Sequence, residues 1–290
     1  MGSEMSNFVD SHKIKTIAYL GKSGSFTEMA KDYFCEKYSL DAYQMPFRTI
    51  QEVMSYVEQD SDAVGIIPVE NAAEGIIRET NDNLLKSSDE HIKILAETIL
   101  PSNNCLLSKN SEIYNITGLI APAPAIARCQ NYIKTELPIH LNIIHTSDTE
   151  EAARLLNSYN LTYSIIGTEK TAEIYNLNIL NSNINNDKDN HTKFLMVGNF
   201  ETEPTEHSVS SIAISVSDVP GSLYNIVKEF AENNINITYI HATPSKLEAN
   251  EYVLFLDFNG HIKESHVKQT IDNIKQNTKY FRFMGSYERI

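Results

Sequence analysis

The sequence predicts two α/β regions in tandem, a larger one over residues 14–200 and a smaller one over 209–290, and three observations carry that expectation. From residue 14 to about 200, short β-rich apolar runs alternate with helical patterns, the signature of a largely parallel sheet. Glu201 to His207, broken by Pro204, then reads as a linker. After it the runs fall in the order βαββαβ, a ferredoxin-like unit of roughly 80 residues.

Taken in order, Ile17-Ala18-Tyr19-Leu20 reads as a strand leading through a glycine turn to a helix started by Ser25 with Glu28. Ala63 to Ile67 is a second strand, followed by Pro68-Val69-Glu70-Asn71 and an expected helix for which Asn71 and Glu74 have capping spacing. Ile143-Ile144 leads to Asp148 with Glu151, and Tyr163 to Ile166 leads to Gly167-Thr168-Glu169. In open α/β sheets ligands bind beyond the carboxyl ends of strands, where helix N-termini offer N–H groups to anions. Ordinary helix capping explains any one junction equally well; several together favour a small anionic ligand. Residues 176–190, rich in Asn and Asp, read as a loop, and His191 to Val197 as a strand.

In the smaller region Ser211 to Val216 is a strand. Pro220-Gly221 opens a helix with Leu223, Ile226, Val227 and Phe230 at i, i+3, i+4 and i+7. Ile235 to Ala242 and Tyr252 to Phe258 are strands, the second closed by Asn259-Gly260. Val267, Ile271 and Ile274 mark a second helix, and Tyr280 to Met284 a last strand.

Composition narrows the class. With 41% hydrophobic and 21% charged residues, 9 Pro and 11 Gly in 290 residues, disordered and collagen-like chains are excluded. A net charge of -14 with no local basic patch speaks against nucleic acid and anionic membranes as partners. Cys35, Cys105 and Cys129 are sparse and form no CxxC pair, which fits a reducing compartment, so a cytoplasmic location is expected. No apolar run approaches the roughly 18 residues of a membrane helix. The sequence shows no metal-ligand cluster, Walker loop or GxGxxG.

Several motifs stand in a telling order: Tyr19-Leu20-Gly21 with Gly24-Ser25-Phe26, Pro68-Val69-Glu70-Asn71 with Gly75 and Thr80, and Asn190-His191-Thr192-Lys193-Phe194. Together they resemble the prephenate dehydratase family, and Pro220-Gly221-Ser222-Leu223, Ile235-Asn236-Ile237 and Glu251-Tyr252 resemble its C-terminal ACT domain. The resemblance implies a two-lobed, periplasmic-binding-protein-like catalytic region with prephenate in the cleft. It also implies a homodimer or homotetramer whose ACT domains pair and bind phenylalanine, and a reaction needing no cofactor. That reaction, in phenylalanine biosynthesis, is a carbon-oxygen lyase step converting prephenate to phenylpyruvate with loss of CO2 and water.

Because aromaticity supplies much of the driving force, such an enzyme has to hold two carboxylates and help a poor leaving group depart. Carried over by position, Thr192 is the hydroxyl that polarises the leaving oxygen, Lys193 grips an anion and Phe194 packs the ring. Glu70 and Asn71 line the cleft, with Gly24, Ser25, Thr149, Gly167 and Thr168 as further substrate contacts. Gly221, Ser222, Leu223, Asn236 and His241 stand at the regulatory ligand site, although His241 taken alone reads as a packing or interface residue.

The chain departs from the family pattern at several junctions. Lys193 replaces an Arg and loses its planar fork. Ala72 replaces a Ser, Ala121-Pro122-Ala123-Pro124-Ala125 stands for Ser-His-Pro-Gln-Ala, and Asp148-Thr149 for Ser-Thr. Gly167-Thr168 stands where Ala-Ser is common, and His241-Ala242-Thr243-Pro244 replaces Glu-Ser-Arg-Pro, which puts phenylalanine binding in question. Two other readings therefore stay open: a prephenate decarboxylase that retains the ring hydroxyl, and a non-catalytic sensor of prephenate or an aromatic amino acid. Retention of Thr192 favours the dehydratase.

Overall fold

The computed structural model describes residues 13–86, 92–112, 116–245 and 252–290. Glu251, part of the expected ACT pattern, lies outside the described residues. The first lobe starts with β1 (Thr16–Leu20), α1 (Phe26–Tyr38), β2 (Tyr43–Phe47), α2 (Ile50–Gln59) and β3 (Ala63–Asn71), with β2 and β3 pairing in parallel on either side of β1. β5 (Lys93–Pro101) leaves this lobe and β11 (His191–Gly198) returns to it, inserted antiparallel between β3 and β5. Ile17, Phe34, Val53, Ile66 and Val197 are fully buried where the two helices cover the sheet, the expected outcome for apolar β-branched strands with a helix on each crossover.

Between the two passages lies the second lobe: β6 (Cys105–Ser108), β7 (Gly118–Pro122), α4 (Ala123–Arg128), α5 (Gln130–Glu136), β8 (Asn142–Thr146), α6 (Thr149–Leu156), β9 (Tyr163–Gly167), α7 (Glu169–Tyr175) and β10 (Asn178–Asn181). Its sheet order is β10-β6-β9-β7-β8, with β7 parallel to both β8 and β9. The Asn-rich stretch expected to be loop thus contributes an edge strand, β10, which pairs with β6 through Ile179 and Leu107. Pairing to an existing sheet outweighs the weak strand preference of Asn.

A second correction concerns Asn71. The expected helix does not start there: β3 runs to Asn71, Gly75 at φ +80° turns the chain, and a short β4 (Gly75–Ile76) pairs back before α3 (Arg78–Lys86). Asn71 Oδ1 still accepts the N–H groups of Ala73 (3.0 Å) and Glu74 (3.1 Å). It therefore closes a hairpin turn with the same side-chain chemistry that caps a helix.

The C-terminal unit is β12 (Ser208–Ser215), α8 (Ser222–Glu232), β13 (Ile237–Pro244), β14 (Tyr252–Asn259), α9 (Ser265–Gln276) and β15 (Tyr280–Arg289), the βαββαβ order expected. Its antiparallel sheet, β13-β14-β12-β15, continues into the first lobe because the end of β15 pairs in parallel with β5, Arg289 opposite Glu97. A bulge in β15 against Ser211 and Ile212 re-aims the strand, and Gly285 makes the approach possible. At φ +139° it packs so near β5 that a Cβ would stand 2.4 Å from the Ile94 carbonyl oxygen. The segment expected as linker is anchored too, with Thr202 Oγ1 donating to the Ser286 carbonyl at 2.6 Å and meeting His261 Nε2 at 3.1 Å.

Candidate active site

Both lobes present the carboxyl ends of their parallel strands to one another. The connections between them, residues 102–104 and 182–190, are tied by Ser102 N–H to the Asn190 carbonyl (2.9 Å) and Asn185 Nδ2 to the Ser102 carbonyl (2.7 Å). At this junction Thr192, 7% exposed, is the second residue of β11 and lies directly opposite Asn71 on β3. Asn71 Nδ2 donates to Thr192 Oγ1 at 2.8 Å, and Ser102 Oγ lies 2.6 Å from the same oxygen.

The orientation of the Asn71 amide is fixed by bookkeeping. Its carbonyl oxygen is occupied by two backbone N–H groups, so the NH2 group must face Thr192 and the His191 carbonyl (3.2 Å). Thr192 must accept that bond, and its own proton is then directed to Ser102 or to a bound molecule. Ser102 was not anticipated from sequence; a serine just after a strand gives no signal until β5 is known to end beside β11.

Next to this group Asn190, 3% exposed, keeps a buried Oδ1 without a hydrogen-bond partner among the described residues. It lines a cavity of about 280 Å³ between the lobes, with Ala73 and Glu74 on one side and Pro124, Arg128 and Asn185 on the other. Arg128 Nε pairs with Glu74 Oε1 across the gap at 2.9 Å. The Ala-Pro run at 121–125 gives this wall Pro124: Pro122 precedes α4 and Pro124 sits in its first turn, where a missing N–H costs nothing.

The expected substrate contacts converge further along the cleft. Gly24, at φ +85°, is pressed against the second lobe so closely that a Cβ would meet Thr171 Oγ1 at 2.5 Å. Its carbonyl accepts from Thr168 Oγ1 at 2.7 Å, and Thr168 caps α7. Ser25 caps α1 and accepts Glu28 N–H at 3.2 Å. Gly167 closes β9, where a Cβ would be 2.9 Å from Leu107. Thr149 is the first residue of α6, behind the cap Asp148, which pairs with Lys22 of the other lobe at 2.9 Å. Burial alone would raise the Asp148 pKa, but the Glu151 N–H, Lys22 and Ser147 outweigh it and hold the carboxyl below its usual range.

Three expected catalytic positions fall elsewhere. Phe194 is on the Thr192 face but only 1% exposed, inside the first-lobe core. Lys193 and Glu70 lie on the opposite side of the sheet, because strand neighbours alternate faces and a bulge at Val69 lets Glu70 and Val69 share one side. Lys193 Nζ is 3.7 Å from Glu70 and 3.8 Å from Glu97, under the C-terminal unit.

The regulatory positions are not gathered within one chain. Gly221, Ser222 and Leu223 stand at the end of the unit where β12 finishes, and Gly221 takes φ +92°. Asn236 lies at the other end, in a wide open recess with Asn259, Glu264 and Arg289. His241 is in the edge strand β13 with its ring 6.5 Å from that of Phe255, a packing position.

Comparison with known proteins agrees with this arrangement. A family model described as prephenate dehydratase matches residues 17–202, and one described as ACT domain matches residues 210–276. A bifunctional chorismate mutase/prephenate dehydratase of Aquifex aeolicus is 33% identical over 277 residues, 96% of this chain and 74% of that protein. A prephenate dehydratase of Methanocaldococcus jannaschii is 32% identical over 278 residues, 94% and 98% of the two chains. The solved structure of prephenate dehydratase from Arthrobacter aurescens in complex with L-Phe shares the fold, with a TM-score of 0.81, 24% identity and coverage of 94% and 90%. Matched over both of its regions, the chain belongs to the prephenate dehydratase family, with an ACT domain at its C-terminal end.

Proposed function

We propose that this chain converts prephenate to phenylpyruvate, with CO2 and water as the other products. The observation that carries the reading is the Asn71 lock, which makes Thr192 Oγ1 an acceptor and turns its proton away from Asn71, toward a ligand or Ser102. As the ring carboxylate leaves as CO2, its electron pair enters the ring and the hydroxyl on the far carbon departs. Thr192 Oγ–H donates a hydrogen bond to that oxygen as charge builds on it, and with a proton it leaves as water. The proposed anion grip passes from Lys193 to Arg128, which already lines the cavity, with Lys22 at the rim. Asn190 Oδ1 is a ready acceptor for a substrate hydroxyl.

Incubation with prephenate followed by product analysis tests this. Phenylpyruvate is expected; a hydroxylated non-aromatic keto acid would assign the decarboxylase instead, and unchanged prephenate the sensor. The free thiols of Cys35, Cys105 and Cys129 fit a reducing cytoplasm.

For regulation, the proposed assembly is a dimer through β13, an edge strand beside exposed Val219, Leu223, Val227 and Ile240. Antiparallel pairing of two β13 edges brings Gly221 to Leu223 of one protomer toward Asn236 of its partner, making one composite pocket for an amino acid such as phenylalanine. Sedimentation with and without phenylalanine, together with calorimetry, checks both points; a monomer would remove the composite pocket.

A further inference from the structure

Lys193 and Glu70 are chain neighbours of Thr192 and Asn71 but face the other side of the sheet, into a buried charged junction with the ACT domain. Lys193 Nζ stands 4.9 Å from the centroid of the Tyr239 ring, which belongs to β13 of that domain. Glu97, 1% exposed, takes Arg289 Nε at 2.7 Å in addition to Lys193 at 3.8 Å. Asp257 is bonded to Ser211 Oγ and lies 3.7 Å from Arg289 Nη2. The cluster surrounds a void of about 40 Å³, so close packing leaves the Lys193 head little freedom to move alone. β11 is bonded on both sides, to β3 and to β5, so a shift at residue 193 is carried directly to residue 192.

We propose that Lys193 is a positioning residue, which holds the Thr192–Asn71 pair from the back of the sheet and through which Tyr239 transmits the state of the ACT edge strand. The proposal rests on the role of Thr192 given above. Tyr239 sits just past a register shift in β13, the strand proposed to pair between protomers, so ligand or partner at that edge moves the ring against Lys193. A contact within one protomer thereby joins a regulatory edge to a catalytic hydroxyl by a continuous set of packed groups.

Kinetics of the full-length protein test this. Lys193→Met is expected to lower kcat about 10-fold or more with KM within about twofold, and Lys193→Arg to restore most of it. Tyr239→Leu, which changes no charge, should lower kcat about threefold and add nothing in the Lys193→Met background. A large KM rise at constant kcat would make Lys193 a substrate ligand and overturn the proposal. So would a double variant whose losses multiply, or a silent Tyr239→Leu. If Lys193→Met does not fold, the cycle is run with Lys193→Gln, which removes the charge but keeps a polar side chain. Amide hydrogen exchange over residues 191–198, measured without substrate, separates this inference from the reaction assignment. Faster exchange in Tyr239→Leu supports the coupling whatever the products are, and unchanged exchange overturns it.

Discussion

The two faces of β11 make opposite use of polar groups. On the cleft face Thr192, Asn71 and Ser102 form a neutral network in which the fixed Asn71 amide makes Thr192 Oγ1 an acceptor and turns its proton toward Ser102 or a ligand. On the other face Lys193, Glu70, Glu97, Asp257 and Arg289 form an ionic cluster in which Glu97 and Asp257 are buried and the others partly exposed. A neutral network specifies where one proton points with little field of its own, which suits a hydroxyl that must respond to charge developing on a substrate. An ionic cluster resists displacement, because moving one member leaves another buried and unpaired. The lesson is that one strand can separate aiming from anchoring by alternation alone.

The comparison can be broken most decisively at Thr192. Thr192→Val should lower kcat by about 10²- to 10³-fold with little change in KM, since the lost bond acts in the transition state; steady-state kinetics check it, and Thr192→Ser should recover part of the loss. Next comes Asn71→Asp, which retains an acceptor for Ala73 and Glu74 N–H but places an anionic oxygen against Thr192. Thermal stability should hold while kcat falls about 10- to 100-fold, because the Thr192 proton is then drawn inward.

On the ionic face the expected effect is on stability. Burial raises the Asp257 pKa from 3.8 to about 6, aided by Glu97 and opposed by Ser211, Lys193 and Arg289. A carboxyl raised on folding binds more protons in the folded state, so its contribution is fully present below pH 3.8 and is lost as pH rises through about 6. Asp257→Asn should therefore flatten the denaturation profile between those values and stabilise the protein by about 1–2 kcal/mol above neutrality. Chemical denaturation across that range checks it. Smallest of all, Lys22→Met at the exposed lobe-to-lobe pair with Asp148 should raise KM about two- to fivefold in low salt and much less in high salt, where screening already weakens the pair in the unsubstituted protein.

Much of the fold is legible in the residues because its signals are local. Ser25, Asp148 and Thr168 all cap helices in the structure, and the βαββαβ order of the C-terminal unit follows from its apolar periods. Asn71 shows the limit of such signals: its spacing to Glu74 is that of a cap, yet Gly75 converts the segment into a hairpin. In the site, Thr192 and Asn71 were both marked by motif, whereas Ser102 and Arg128 carried no mark. Ser102 joins it when β5 pairs with β11 in the first-lobe sheet, and Arg128 when the second lobe sets it against Glu74 of the first.

By itself the sequence determined the α/β alternation, the order of the C-terminal elements, the helix starts at Ser25 and Asp148, and which hydroxyl and amide are candidates for chemistry. Propensity, period and capping act over a few residues and can be read there. Only the tertiary structure decided that Lys193 and Glu70 face the ACT junction and not the cleft. Which way a strand side chain points is set by pleat and by the bulge at Val69, but what it meets depends on sheets formed by residues far along the chain, here β13 and β15. Burial, ion pairing and the direction of a pKa shift all arise from that meeting, so none of them could be assigned before the chain had folded.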